Sequence, residues 1–125
     1  MKKLTLILGL VFCSHILAEV ELIDASVLKK RIDNPDNNLI LLDVRTVTEY
    51  RSGHIKNSIN IPHVKLIQNI SLLDQYRDQP VVIFCRSGKR AQLVIDALIE
   101  NKFDQIIDLE GDILAWKTSG FPVVQ

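Results

Sequence analysis

Cys85 stands where an unbroken apolar run, Val81-Val82-Ile83-Phe84, meets a short polar loop, Arg86-Ser87-Gly88-Lys89-Arg90. Arg86, Lys89 and Arg90 set three cations within five residues of one thiol. The residues that follow have helical spacing, so these cations fall at a helix start. There the aligned peptide dipoles favour acids and disfavour bases, by ~0.3–1 kcal/mol per charge. The first acid after Cys85 is Asp96. Helix stability does not call for that charge pattern, but an anion held in the loop does. A thiol attacks as its thiolate, and helix N-termini and neighbouring cations both favour that form. The loop offers both.

Each loop residue has a role in such a site. The backbone N–H groups of Arg86 to Arg90 can curl round the sulfur as an anion-binding nest, and Gly88 supplies the conformational freedom the curl requires. Arg86 and Arg90 can each meet an oxyanion with two hydrogen bonds, while Lys89 adds a point charge. Ser87 reads as a loop donor rather than a nucleophile, because no base is evident for it. Cys85 is therefore the candidate catalytic residue, and Arg86, Ser87, Gly88, Lys89 and Arg90 are the candidate substrate-binding residues. The plainer alternative, a buried Cys packing as a small hydrophobe among solvated surface cations, leaves the clustering of three cations beside it unexplained.

The elements that must position this loop alternate between strands and helices. Val20 to Ile23 is a short strand, and Asp24 is an N-cap for a helix reaching about Arg31. Leu39 to Val44 is almost continuously apolar, as expected of a strand covered on both faces. A short helix spans about Val47 to Arg51, and Ser58 to Ile61 forms a brief strand stopped by Pro62. A helical stretch from about Val64 to Tyr76 is broken near Asn69–Ser71. Val81 to Phe84 is the next buried strand. Ala91, Val94, Ile95, Leu98 and Ile99 repeat with a period near 3.6 in the helix after the loop. Ile106 to Leu109 and Asp112 to Lys117 complete the alternation. This pattern predicts one α/β domain with a mostly parallel sheet. Open parallel sheets bind ligands beside the carboxyl ends of their strands. Cys85 lies at one such end and Asp43 and Arg45 at another. That pair either braces the Cys85 loop or ties the sheet end to the next helix.

The 125 residues carry 15 Lys+Arg and 15 Asp+Glu. A neutral chain does not suit a polyanionic partner such as nucleic acid, so the local cations point to a small anionic ligand. Residues 1–18 read as an export signal: a basic start at Lys2-Lys3, an apolar core from Leu4 to Cys13, and a cleavage site after Ala18. Ser14, His15 and Glu19 end the apolar run short of the ~20 residues a membrane span needs, so no stable membrane anchoring is expected. Phe12 is too bulky to precede a lipidated Cys13. The mature part, residues 19–125, then holds 13 bases, 15 acids and the single cysteine Cys85. An exported chain with one cysteine cannot use it as an internal disulfide. The sequence places the protein in the periplasm or outside the cell.

Cys85-Arg86-Ser87-Gly88-Lys89-Arg90 resembles the active-site loop of rhodanese-like sulfurtransferases. Leu42-Asp43-Val44-Arg45 followed by Glu49-Tyr50-Arg51-Ser52-Gly53-His54-Ile55 is similar to that family's first motif, and Asn57 to Pro62 to its second. Leu109-Glu110-Gly111, Ala115-Trp116 and Gly120-Phe121-Pro122-Val123 are similar to its C-terminal signature. The resemblance implies a five-stranded, mostly parallel sheet flanked by helices. It also implies a reaction in which Cys85 takes a sulfane sulfur from a donor such as thiosulfate, forming a persulfide, and passes it to a thiol, to cyanide or to a protein acceptor. No cofactor is expected. His15 leaves with the signal and His63 has no visible partner, so a histidine-based metal site is unsupported. Asp112 departs from the family pattern, standing where a second Gly is common, and is expected to alter the turn beside the site. His54 reads as a hydrogen-bonded structural residue and Trp116 as core or pocket wall.

Two rival readings remain at this level. One is a non-catalytic sulfur carrier or anion-binding module. The other is a cysteine-dependent phosphatase or arsenate reductase, a chemistry that resembles Cys, five residues, then Arg. Here four residues separate Cys85 from Arg90.

Overall fold

The structure, a computed structural model, describes residues 1–12 and 19–125. Of the segment read from the sequence as an export signal, residues 1–12 are described, and Leu4, Leu6, Ile7, Leu8, Leu10, Val11 and Phe12 lie exposed, outside regular secondary structure. Cys13 and Ala18, after which cleavage is expected, lie outside the described residues.

Strands and helices alternate along the chain: β1 (Val20–Ile23), α1 (Ala25–Asp33), β2 (Ile40–Asp43), α2 (Val47–Ser52), β3 (Ile59–Asn60), α3 (His63–Gln68), a 3-10 helix (Ile70–Tyr76), β4 (Val81–Phe84), α4 (Lys89–Glu100), β5 (Ile106–Leu109) and α5 (Asp112–Thr118). The five strands form one sheet in the order β1-β5-β4-β2-β3, with every pairing parallel. Parallel neighbours need crossovers, and the helices between strands supply them. The predicted α/β architecture and the five-stranded sheet are those observed.

Central β4 is buried at all four positions, because helices cover both faces of the sheet. One core gathers Leu42, Ile83 and Val81 with Leu66, Leu73, Val94, Ile95 and Leu98. The other gathers Leu41, Val82, Phe84 and Leu109 with Leu28, Ile113 and Trp116. Asp24 caps α1 as expected, its Oδ1 accepting from Val27 N–H at 2.9 Å. The break expected near Asn69 separates α3 from the 3-10 turn. Trp116 is buried in the second core, with its Nε1–H donating to Pro122 O at 2.9 Å.

The register carries the site. Asp43 of β2 pairs with Phe84 of β4, so the two strands end level with one another. β5 runs along the other side of β4, where Ile83 pairs with Asp108. The segments leaving β2, β4 and β5 therefore emerge together at the carboxyl end of the sheet.

Candidate active site

β4 delivers Cys85 to that end with 1 % of its surface exposed. The backbone then turns through Gly88, whose φ of +118° is a value that side-chain-bearing residues rarely adopt. This turn aims the Gly88 N–H back at Cys85, 3.1 Å from Sγ. Gly88 also serves as the N-cap position of α4, whose first turn holds no acid. The predicted loop-into-helix geometry is present, and the Gly88 amide is the member of the expected nest that donates to sulfur. Arg86 and Ser87 on the loop and Lys89 at the start of α4 are exposed, while Gly88 and Arg90 are partly buried.

Arg90 turns inward to Glu49, a residue the sequence reading did not place in the site. Nη1 donates to Glu49 Oε1 at 2.6 Å and Nη2 to Oε2 at 3.0 Å. The guanidinium holds the Glu49 carboxyl down at a pKa of about 2, aided by hydrogen bonds from Thr46 and opposed by burial. Glu49 in turn holds Arg90 protonated more firmly than usual, with the Cys85 sulfur adding a smaller contribution of the same sign. Glu49 has a second duty as the N3 residue of a capping box with Thr46 at the start of α2. The Thr46-x-x-Glu49 spacing was readable as a helix start; the contact 41 residues away was not.

Asp43 and Arg45 form a sealed pair on the neighbouring strand. Arg45 Nε donates to both carboxylate oxygens of Asp43, at 3.0 and 3.1 Å, and Nη2 donates to Oδ2 at 2.8 Å. The same Nη2 donates to Gly53 O at 2.8 Å. Asp43 is 0 % and Arg45 3 % exposed. Of the two roles left open for this pair, these bonds match the second: they tie the end of β2 to the end of α2. Arg45 and Arg86 nevertheless line one cleft of about 260 Å³, together with Thr48, Glu49, Ser52, Ile113, Leu114 and Lys117. Arg86 and Lys117, neither of them in an ion pair among the described residues, thus face a space beside the Cys85 loop that also holds Glu49.

Asp112 does more than reshape a turn. It takes a left-handed φ of +58°, directly after Gly111 at +74°. A non-glycine residue there is uncommon, although Asp and Asn tolerate it best. Its Oδ1 accepts the Cys85 backbone N–H at 2.9 Å. The next two amides close the same grip, Ile113 N–H donating to Cys85 O at 3.1 Å and Leu114 N–H to Arg86 O at 3.3 Å. The carboxyl is 3 % exposed. Burial raises its pKa, the bond from Cys85 opposes that rise, and the charge on Asp108 reinforces it. His54 has backbone and ring partners: Nδ1 lies 2.9 Å from Tyr50 O and its ring stacks on that of Tyr50.

A parallel α/β domain that holds a thiol in a cationic loop at its strand ends defines a class of protein able to carry charge on sulfur. Residues 24–119 match the model of the rhodanese-like domain, and the chain belongs to that family. It is 32 % identical over 102 residues to a sulfurtransferase from Allochromatium vinosum, covering 82 % of this chain and 92 % of that one. A crystal structure of a rhodanese-related protein from Thermoplasma volcanium superposes with a TM-score of 0.72 at 34 % identity, covering 83 % of this chain and 97 % of the other. A tRNA uridine(34) hydroxylase from Cronobacter sakazakii is 26 % identical over 111 residues, covering 82 % of this chain, but the match spans only 31 % of that protein. These likenesses support an enzyme of the sulfurtransferase type.

Proposed function

We propose that the chain is an exported sulfurtransferase that works through a persulfide on Cys85. In the first half-reaction Sγ, as thiolate, attacks the outer sulfur of a donor such as thiosulfate. The Sγ–S bond forms, the donor S–S bond breaks, and its electron pair leaves with sulfite. In the second, a nucleophilic acceptor takes the outer sulfur and the Sγ–S electron pair returns to Sγ as thiolate. Cyanide leaves as thiocyanate and a thiolate leaves as a persulfide. Splitting the transfer in this way is covalent catalysis in two easier steps, and it needs no separate general base.

The observation that carries this reading is the Gly88 N–H 3.1 Å from Sγ, in a loop whose Arg90 guanidinium is fixed nearby. Both groups stabilise negative charge at the sulfur, or at an outer sulfur attached to it, in each stage of the cycle. Arg86 and Lys117, which line the adjoining cleft, suit an anionic donor or the acid groups of a small thiol acceptor. A protein acceptor docking over the exposed loop is equally compatible with the chemistry. Phosphate chemistry is disfavoured on two counts. The loop is one residue shorter than that chemistry uses, and both terminal nitrogens of Arg90 are taken by Glu49.

Thiosulfate and cyanide mixed with the purified chain should give thiocyanate at a rate proportional to protein, and Cys85→Ser should give none. Turnover of an aryl phosphate without any use of thiosulfate would overturn the assignment. The basic, apolar start of the chain supports export, and among the described residues no helix is long and apolar enough to cross a membrane. An alkaline phosphatase fusion joined after Glu19 should be active outside the cytoplasm; activity confined to the cytoplasm would withdraw the export assignment.

A further inference from the structure

A carboxylate bonded to the backbone of a nucleophilic cysteine is at odds with a loop built to favour negative charge, and Asp112 is such a carboxylate. One of its oxygens accepts the backbone N–H of Cys85. The other lies 3.0 Å from where a Cβ on Gly88 would stand, so the carboxyl fills the underside of the same turn whose upper N–H reaches Sγ. Gly111 cannot give way, because a Cβ there would stand 2.5 Å from Ala115 Cβ. Asp112 is therefore fixed against the nucleophile by the start of α5.

We propose that Asp112 is a positioning residue that biases the Cys85 loop towards its sulfur-loaded form. The proposal rests on the sulfurtransferase reading above. Both sulfur states of Cys85 are anions, but they hold their charge at different places. In the thiolate it sits on Sγ, next to the buried carboxylate; in the persulfide it is carried mainly by the outer sulfur, one S–S bond further away. Like charges repel less as they separate, so Asp112 raises the free energy of the empty thiolate more than that of the loaded persulfide. The backbone bond to Cys85 N–H keeps this repulsion at a fixed separation.

The charged surroundings are consistent with a carboxylate that acts on sulfur rather than being neutralised by a cation. On the loop, Arg86 and Lys89 are exposed and Arg90 is bound to Glu49. From β5 the facing group is Asp108, another acid, itself raised by burial and by Glu110. On α5 the basic residue is Lys117, in the last turn. No hydrogen bond or ion pair joins Asp112 to a cation among the described residues.

Asp112→Asn retains an oxygen for the Cys85 N–H, tolerates the left-handed backbone and removes the charge. Asp112→Gly removes charge and acceptor while relieving the backbone, so at least one neutral variant is expected to fold. The rate of Cys85 alkylation by iodoacetamide should be followed against pH in all three proteins. Its midpoint should fall in both variants, because a neighbouring like charge disfavours the charged form. At a pH above all three midpoints, thiosulfate-loaded protein should then be titrated with sulfite. Half of the sulfur should be stripped from Asp112→Asn at a several-fold lower sulfite concentration than from the wild type. An unmoved or raised midpoint overturns the proposal, as does a lowered midpoint with unchanged sulfite demand. Wild-type protein that takes up no sulfur would overturn the sulfurtransferase reading and the bias with it. Normal uptake with an unmoved midpoint would sink the Asp112 inference alone.

Discussion

Arg45 and Arg90 both lie at the carboxyl end of the sheet, and each is held at two points by a carboxylate. Their surroundings differ. The side chains of the Arg45–Asp43 pair are 4 % and 0 % exposed, whereas those of Arg90–Glu49 are 25 % and 30 % exposed. The first pair also satisfies a backbone carbonyl at Gly53 and lies within the join between β2 and α2. The second bridges α2 to the loop that holds the thiol. Similar fork geometry thus supports two tasks: the sealed pair fixes the scaffold, and the half-open pair holds a cation beside sulfur. What separates them is which element each carboxylate comes from and how much water reaches it.

Breaking the sealed pair should have the largest effect on stability. Asp43→Ala leaves a buried guanidinium without its counterion, a change that costs about 3–5 kcal/mol. Against a total of about 5–15 kcal/mol for a typical domain, the urea midpoint should fall steeply. A loss below about 1 kcal/mol would mean that water reaches Arg45 and that the two pairs do not differ as described.

Glu49→Gln should divide the effects the other way. Stability should drop by about 1 kcal/mol, as for a partly exposed charged hydrogen bond, while sulfur transfer falls by about tenfold because Arg90 loses its orientation. Equal percentage losses in stability and turnover across a set of Glu49 variants would make this pair structural as well.

The same pair predicts a pH window. The folded Glu49 carboxyl, at about 2, lies below its ordinary value of 4.5. Its contribution to stability is therefore fully present above about 4.5 and is lost as pH falls towards 2. Asp112 has the opposite sign: its raised pKa means that the folded state binds the proton more tightly, so ionising it on going above 3.8 lowers stability. Urea unfolding between pH 2 and 5 should show less steep acid destabilisation in Glu49→Gln than in the wild type. Parallel curves would contradict the assignment.

Arg86→Ala should have the smallest effect on folding, within about 0.5 kcal/mol, because the side chain is exposed and stands in an unfavourable charge position before a helix. Thiosulfate use should nonetheless weaken several-fold, through KM more than kcat. Equal loss of stability and turnover would show that Arg86 is structural.

These contrasts also mark what could be read from the sequence. The strands were legible because Leu39–Val44 and Val81–Phe84 are continuous apolar runs, and the loop was legible because thiol, glycine and cations are neighbours in the chain. Glu49 was not legible as a site residue, because its partner Arg90 lies 41 residues away in the chain. Only the β2–β4 register brings α2 alongside the Cys85 loop. Asp112 was read as a changed turn, which is what a left-handed position implies locally. Its contact with Cys85 spans 27 residues and depends on β5 running beside β4. Local chemistry was visible in order along the chain, whereas the residues that restrain it arrive through sheet pairing.

The central claim is that Cys85 carries sulfur, and intact-protein mass spectrometry after brief exposure to thiosulfate tests it most directly. The account predicts a gain of one sulfur atom on the wild-type chain, mapped to the peptide containing Cys85, removed by cyanide and absent in Cys85→Ser. A wild-type chain that stays at its unmodified mass, or gains sulfur equally in Cys85→Ser, would contradict it.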